Sequence, residues 1–369
     1  MSNNTLVDEG KPTLDELRER LWQPVIDGDA VRALSLVRAA CAPDTREPGR
    51  LRDIAERVLL DVIAPTQERV GVEWAANTIT VAQEHAATAV NERCVSALAD
   101  TCADALPATS RGRVLVACVD GEWHALPARL VAEVLRLRGW HVDYLGAQVP
   151  TEHLVSHLHH TGAEAVLLSS SIPTHLPIAH AAISACQAAG VPVLAGGAAF
   201  GEGGRYARAM KAKWAPDAPG AAEALDEGLG RPSVTAARLP DLDLPHLNDQ
   251  EYTMVRRTRR QLVKQALADV EEGFPAMRDY SDYQRERTVE DIHHIVAYLA
   301  TALYVNDVAL FTTFMVWTAG ILEARGVPRH SLFPALDSLL NQLSDFPRAT
   351  AVLSGARSAL TIPGPGRPA

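Results

Sequence analysis

VLVACVDGEWHALPARLVAEVLRLRGWHVDYLGAQVP, residues 114–150, is the stretch that decides the fold. Its opening six residues, 114–119, are short, apolar and rich in β-branched side chains, which predicts a buried parallel strand. Asp120-Gly121 signals a loop, and His124 follows on it. An amphipathic helix is expected over 127–138, Gly139 ends it, and 141–145 reads as the next strand. Strand, helix and strand make a βαβ unit. That unit places His124 on the loop at the carboxyl end of its first strand, the edge where open α/β sheets bind ligands.

Working outward on the C-terminal side, 152–160 reads as a helix carrying His153, His157, His159 and His160. His153, His157 and His160 share one face at i, i+4 and i+7. Without partner carboxylates in the pattern, a solvated face is preferred over a metal site. A strand over 165–169 then runs into SSSIPTHLP, a helix covers 175–189, and 191–197 is a further strand. Four strands alternating with helices through short loops predict a doubly wound, Rossmann-like parallel sheet over 109–226. Ser169, Ser171 and the Gly196-Gly197 pair cap adjacent strands, and residues this small leave a groove open to close backbone approach. A dinucleotide-binding strand would be followed by G-x-G-x-x-G; this chain has DGEWHAL instead, which argues against a nicotinamide fold.

On the N-terminal side the pattern over 13–108 is helical throughout, with helices expected at 13–26, 29–41, 50–61 continuing into 62–71, and 80–105. This is a small bundle. Residues 1–12 are expected to be disordered. Two features of the bundle carry chemistry: Trp74, and ten positions later the pair Glu84-His85, just inside a helix that Thr80 caps. On their own they read as a core aromatic and a solvated polar pair.

Beyond the sheet domain, 227–250 is proline-rich and reads as a linker. From 251 to 360 the chain is helical again, with four helices at 251–272, 289–304, 307–325 and 331–343, and 361–369 is expected to be a disordered tail. His293 and His294 lie beside a buried stripe, among Tyr298, Tyr304, Phe311, Phe314 and Trp317.

Composition bounds the function. The 369 residues are 47% hydrophobic, enough for two or three domains. A net charge of −10 argues against DNA binding, because phosphate contacts need clustered cations. The one basic cluster, Arg256, Arg257, Arg259 and Arg260, is short. The polar, acidic N-terminus has no signal-peptide pattern, and no apolar run reaches the roughly 20 residues that cross a bilayer. Five scattered cysteines without metal spacing fit a reduced cytoplasm.

Asp120-Gly121-Glu122-x-His124, the Ser169 region and Gly196-Gly197 together resemble the cobalamin-binding domain of methionine synthase and corrinoid carrier proteins. The resemblance implies that His124 is the lower axial ligand of cobalt, with Glu122 beside it in the loop. It further implies that Ser169, Ser171, Gly196 and Gly197 surround the displaced nucleotide tail. The family usually has Gly three residues after the histidine, where this chain has Pro127. Trp74 with Glu84-His85, directly before such a domain, is similar to the cobalamin-dependent light-sensing regulators, in which these residues cover the upper face of adenosylcobalamin. Those regulators begin with a helix-turn-helix domain, whereas this sequence starts at the bundle. Some carry a histidine right after the tryptophan, where this chain has Ala75.

The order of domains also looks like that of the photocobilins, in which a globin-like C-terminal domain binds a bilin. That resemblance implies non-covalent biliverdin over 251–360, with His293 or His294 at the pyrrole nitrogens and Arg256 or Arg260 at the propionates. The expectation is therefore a cytoplasmic light sensor rather than an enzyme. It is expected to be a homo-oligomer, a dimer being favoured, with a downstream protein partner and no membrane contact. The alternatives are a corrinoid methyl carrier of a methyltransferase system and a cobalamin-binding regulator without photochemistry.

Overall fold

Helix N-caps begin where the sequence has hydroxyl side chains three residues before Glu or Gln. In the computed structural model, which describes residues 13–41, 47–107, 111–232 and 249–362, Thr13 and Thr80 each form such a reciprocal box. Residues 1–12, 363–369 and most of the linker, 233–248, lie outside the described residues, so the expectations for the two ends and for that linker rest on sequence.

The chain divides into two compact units that part at residues 238 and 239. The first opens with α1 (Leu14–Ile26), α2 (Ala30–Cys41), α3 (Pro48–Arg57), α4 (Ala64–Ala75) and α5 (Val81–Cys102). Helices α3 and α4 are joined without a break by a π-helical turn, Val58–Ile63, closed by the Ala64 N–H donating to the Leu59 carbonyl. Pro65 gives the physical reason: it has no N–H to donate, and its ring crowds the preceding turn.

The sheet follows: β1 (Arg111–Val119), α6 (Ala125–Leu137), β2 (Trp140–Val149), α7 (Thr151–Thr161), β3 (Ala165–Ser169), α8 (Leu176–Ala188), β4 (Val193–Gly196), α9 (Arg205–Ala209), β5 (Lys213–Trp214) and α10 (Ala218–Asp226). All strand pairs are parallel, in the order β2-β1-β3-β4-β5. This is the doubly wound arrangement the sequence predicts, with one more strand, β5, too short to announce itself. Residues 114–119 are buried throughout, as a strand covered on both faces requires. Helix α6 starts two residues earlier than the sequence suggests, so Pro127 falls in its first turn, where a missing N–H costs no helical bond.

The bundle rests on α6. Leu126, Leu130, Val134 and Leu137 share one apolar core with Leu17, Leu59, Val95 and Leu98 of the bundle. At the end of that contact Arg138 donates twice to Glu56, at 3.1 and 2.6 Å. The helix that ties bundle to sheet is thus the one that begins next to His124.

The second unit contains α11 (Glu251–Gly273), α12 (Asp282–Val305), α13 (Val308–Ala324), α14 (Phe333–Gln342) and α15 (Pro347–Thr361). The last of these is a fifth helix, beyond the four that the sequence predicts. Glu251, 4% exposed, accepts the backbone N–H groups of Arg348 and Ala349, so the first helix of the unit caps the last. Among the described residues, no helix is long and apolar enough to cross a membrane.

Candidate functional site

In a sheet of order 2-1-3-4-5 the chain turns one way from β1 and the other way from β3, and ligands bind between the ends of those two strands. The β1–α6 loop (120–124) and the β3–α8 loop (170–175) meet there, and their meeting point is Glu122. Its side chain is fully buried. Oε1 accepts the His124 backbone N–H at 2.9 Å and the His124 Nδ1–H at 2.6 Å. Oε2 accepts the Ser170 hydroxyl at 3.1 Å and the backbone N–H groups of Ser171 and Ile172 at 2.7 and 3.1 Å. His175 Nδ1 stands 3.4 Å from the same oxygen.

These contacts settle the electrostatics. Burial alone pushes the Glu122 carboxyl up, but the hydrogen bonds from His124 and Ser171, with the His175 imidazole close by, outweigh it and hold the group far below the ordinary carboxylate range. The imidazole of His124 is shifted upward, chiefly by its hydrogen bond to Glu122; burial opposes this, and the charges of Glu122 and Glu84 add to it. A carboxylate accepts from Nδ1, so Nδ1 carries the proton and the neutral ring keeps its lone pair on Nε2. The His124 side chain is 58% exposed. An imidazole oriented from behind by a buried carboxylate, with its other nitrogen free, is the arrangement of a metal-ligating histidine.

The loop is shaped by glycine at two positions. Gly121 takes φ +82°, and a Cβ there would meet the His175 ring at 3.5 Å. Gly197, after β4, takes φ +97°, and a Cβ there would lie 2.3 Å from the Ser170 carbonyl oxygen. Ser169 ends β3 in register with Gly196. Ser169, Gly196 and Gly197 therefore line neighbouring strand ends, as expected, while Asp120 and Gly121 form the turn before Glu122. Sequence reasoning named Ser169 and Ser171 and missed Ser170 and His175, which both face Glu122. A run of three serines does not reveal which one turns inward; knowledge that β1 and β3 are neighbours would have pointed to the whole 170–175 loop.

The bundle contributes the remaining predicted residues. Trp74 ends α4, half-buried against the bundle core, and Glu84 and His85 lie in the first turns of α5. Glu84 is near enough for its charge to act on His124. Glu84 and His85 form a short side-chain pair through His85 Nδ1, and His85 is 76% exposed.

Elsewhere, His157 and His141 both approach Asp143, at 3.4 and 3.5 Å, and His153 lies beside Glu152. Among the described residues no group of three or more His, Cys, Asp or Glu side chains is arranged to hold a metal. In the second unit, His293 has its proton affinity lowered, by burial first and then by Arg259, His294 and Arg260. His294 is exposed, and its charge acts on Asp291. Arg256 donates to the Tyr252 hydroxyl at 3.4 Å. Of the four residues predicted there, His293 and Arg260 are thus near one another.

Comparison with known proteins bears on the first unit. A B12 binding domain model matches residues 112–218, and a second B12 binding domain model matches residues 17–99. Several solved structures are similar to part of the chain, these three among them. The monomethylamine corrinoid protein of Methanosarcina barkeri is 19% identical over 58% of this chain and 99% of its own, with a TM-score of 0.46. A cobalamin-binding protein from Desulfitobacterium hafniense DCB-2 is 18% identical over 58% of this chain and 100% of its own, with a TM-score of 0.34. The methanol:cobalamin methyltransferase complex of Methanosarcina barkeri is 18% identical over 61% of this chain and 84% of its own, with a TM-score of 0.31. No curated protein matches the chain.

Proposed function

We propose that this cobalamin-binding chain is a light sensor that holds adenosylcobalamin with its own base displaced. The observation that carries the reading is the pairing of two Glu–His units across one site: Glu122–His124 in the sheet loop, and Glu84–His85 on the bundle helix whose charge reaches His124.

The residues fit the cofactor. A neutral imidazole is a suitable ligand for cobalt, and Glu122 fixes the ring with Nε2 available. His124 would hold the metal from below; Ser169, Ser171, Gly196 and Gly197 would flank the nucleotide tail; Trp74, Glu84 and His85 would close the upper side. Bound there, adenosylcobalamin supplies a cobalt–carbon bond that visible light breaks. The chain's own contribution is to position that bond, exclude water above it and pass on movement. Because α6 starts beside His124 and carries the bundle's core contact, a shift of the bundle has a direct route to the sheet loop. The Arg138–Glu56 pair stands on that route.

For the second unit the reading is a globin-like domain holding biliverdin without a covalent link. Its support is the cationic surroundings of His293, with Arg259 and Arg260 close by, and the Tyr298–Phe314 stack at 3.6 Å. All five cysteines fall at or before Cys186, so a thioether has no partner in 251–360. A sensor of this kind works through a dimer interface or a protein partner rather than by catalysis.

The test is an absorbance spectrum of protein loaded with adenosylcobalamin and biliverdin, taken before and after green and red light. Cobalamin bands that convert under green light, beside a shifted red biliverdin band, support the reading. Cobalamin bands that ignore light would contradict it and favour the methyl carrier. Biliverdin that stays free would remove the second-unit claim alone.

A further inference from the structure

Behind the Glu84–His85 pair, one line of side chains runs from the seam between α4 and α5 to the first turns of α5. Asn91 is fully buried, and its Nδ2–H donates to Gln67 Oε1 at 2.8 Å. Gln67 Nε2–H donates to Thr88 Oγ1 at 2.8 Å, and the Thr88 hydroxyl donates to Glu84 Oε1 at 3.2 Å. Glu84 in turn takes the His85 Nδ1–H through Oε2. Residues 84, 88 and 91 recur at helical spacing on one face of α5, and Gln67 bridges the last two from α4.

The line has a direction. Thr88 has one proton, which goes to the carboxylate, so its oxygen must accept from Gln67; that sets the Gln67 amide, and the Gln67 amide sets Asn91. Every donor points toward Glu84. Aligned bonds polarise one another and strengthen the last of them. Asn91 Oδ1, at the far end, is buried and accepts no hydrogen bond among the described residues. Packing alone does not explain such a line, because apolar side chains would fill the seam without burying polar groups.

We propose that Asn91, Gln67 and Thr88 are positioning residues that hold the Glu84 carboxylate, and through it the Nδ1–H form of the His85 ring, at the upper side of the cofactor site. What the pair meets there rests on the cobalamin reading; the orientation itself is a property of the chain without cofactor.

The experiment is nitrogen–proton correlation NMR on the full, cofactor-free chain with 15N-histidine, His85 being assigned by His85→Gln. The wild type and Thr88→Ser are expected to show His85 as the Nδ1–H tautomer. Thr88→Val, close in shape but without the hydroxyl, and Gln67→Leu are expected to lose that pattern toward Nε2–H, with His124 unmoved. A wild-type His85 that is already Nε2–H overturns the proposal. So does an unchanged His85 in both Thr88→Val and Gln67→Leu, or an equal change at His124, which would mark general loosening. Failure of cobalamin to bind, or of light to act, leaves these outcomes as they are.

Discussion

Glu122 concentrates the first unit's electrostatics in one residue. Its carboxylate is buried and accepts five hydrogen bonds from two loops. Glu122→Gln replaces one carboxylate oxygen with an NH2 group, so whichever side the amide turns, either the two His124 donors or the three donors from 170–172 lose an acceptor. The expected cost is roughly 2–4 kcal/mol in denaturant unfolding. The pH dependence has a definite sign. The folded carboxyl binds its proton less tightly than the unfolded one, so Glu122's contribution is complete above its ordinary value of 4.5 and is lost as pH falls toward its depressed value. His124 acts oppositely. Its proton affinity is raised, so its ion-pair contribution is complete below 6.5 and fades as pH rises through the folded-state value. Stability of the cofactor-free wild type, followed across pH, is expected to fall on the acid side, and Glu122→Gln to flatten that fall. Metal ligation needs the neutral ring, so the proton on His124 competes with cobalt and binding weakens as pH is lowered. At this scale His124 was legible because a βαβ pattern puts its first loop at the ligand edge, and Glu122 entered through the family resemblance of that loop. Ser170 and His175 were not, because their role comes from strand β3 lying next to β1, which is a property of sheet order and not of local pattern.

Among the elements, the end of β4 controls the end of β3. Gly197 can neither give up its positive φ nor accept a Cβ without displacing Ser170. Gly197→Ala is therefore expected to destabilise the first unit by roughly 1–3 kcal/mol. It is also expected to weaken cobalamin binding more than a stability loss explains, because Ser170 donates to Glu122. Titration with the cofactor beside an unfolding curve separates the two effects. In the second unit, Glu251→Ala uncaps α15 and is expected to cost roughly 1–2 kcal/mol in the unfolding of that unit, with the cobalamin site untouched. The long amphipathic and capped helices were readable from Thr13, Thr80 and Gly139. The two-residue strand β5 offers too few positions for any periodicity. Helix α15 was missed although Ser344-Asp345 breaks the pattern after 343 and Pro347 is a helix-start signal, because its small residues, Ala349, Ala351, Ser354, Gly355 and Ala356, give a weak apolar periodicity.

For the whole molecule, the division into two units has a consequence for binding. Every residue placed around His124 lies in the first unit, so a chain ending at residue 238 is expected to bind cobalamin within about twofold of the full chain, as energetically independent units do. An affinity loss well beyond that would show the second unit completing the site. In the sequence, the proline-rich stretch 227–250 between an α/β pattern and a second helical one is the signal for a division of the chain. The nature of the second unit was less so: helices at ordinary spacing look alike whatever they enclose.

The most direct measurement is electron paramagnetic resonance of the cobalt(II) form of the bound cofactor, prepared with 14N-histidine and again with 15N-histidine protein. If His124 is the axial ligand, the nitrogen splitting of the cobalt signal is a triplet in the first sample and a doublet in the second, and His124→Ala removes the dependence on label. A triplet that persists unchanged in 15N-histidine protein would mean that the cofactor's own base remains on the metal. The account of the Glu122–His124 loop as a cobalt-binding site would then be wrong.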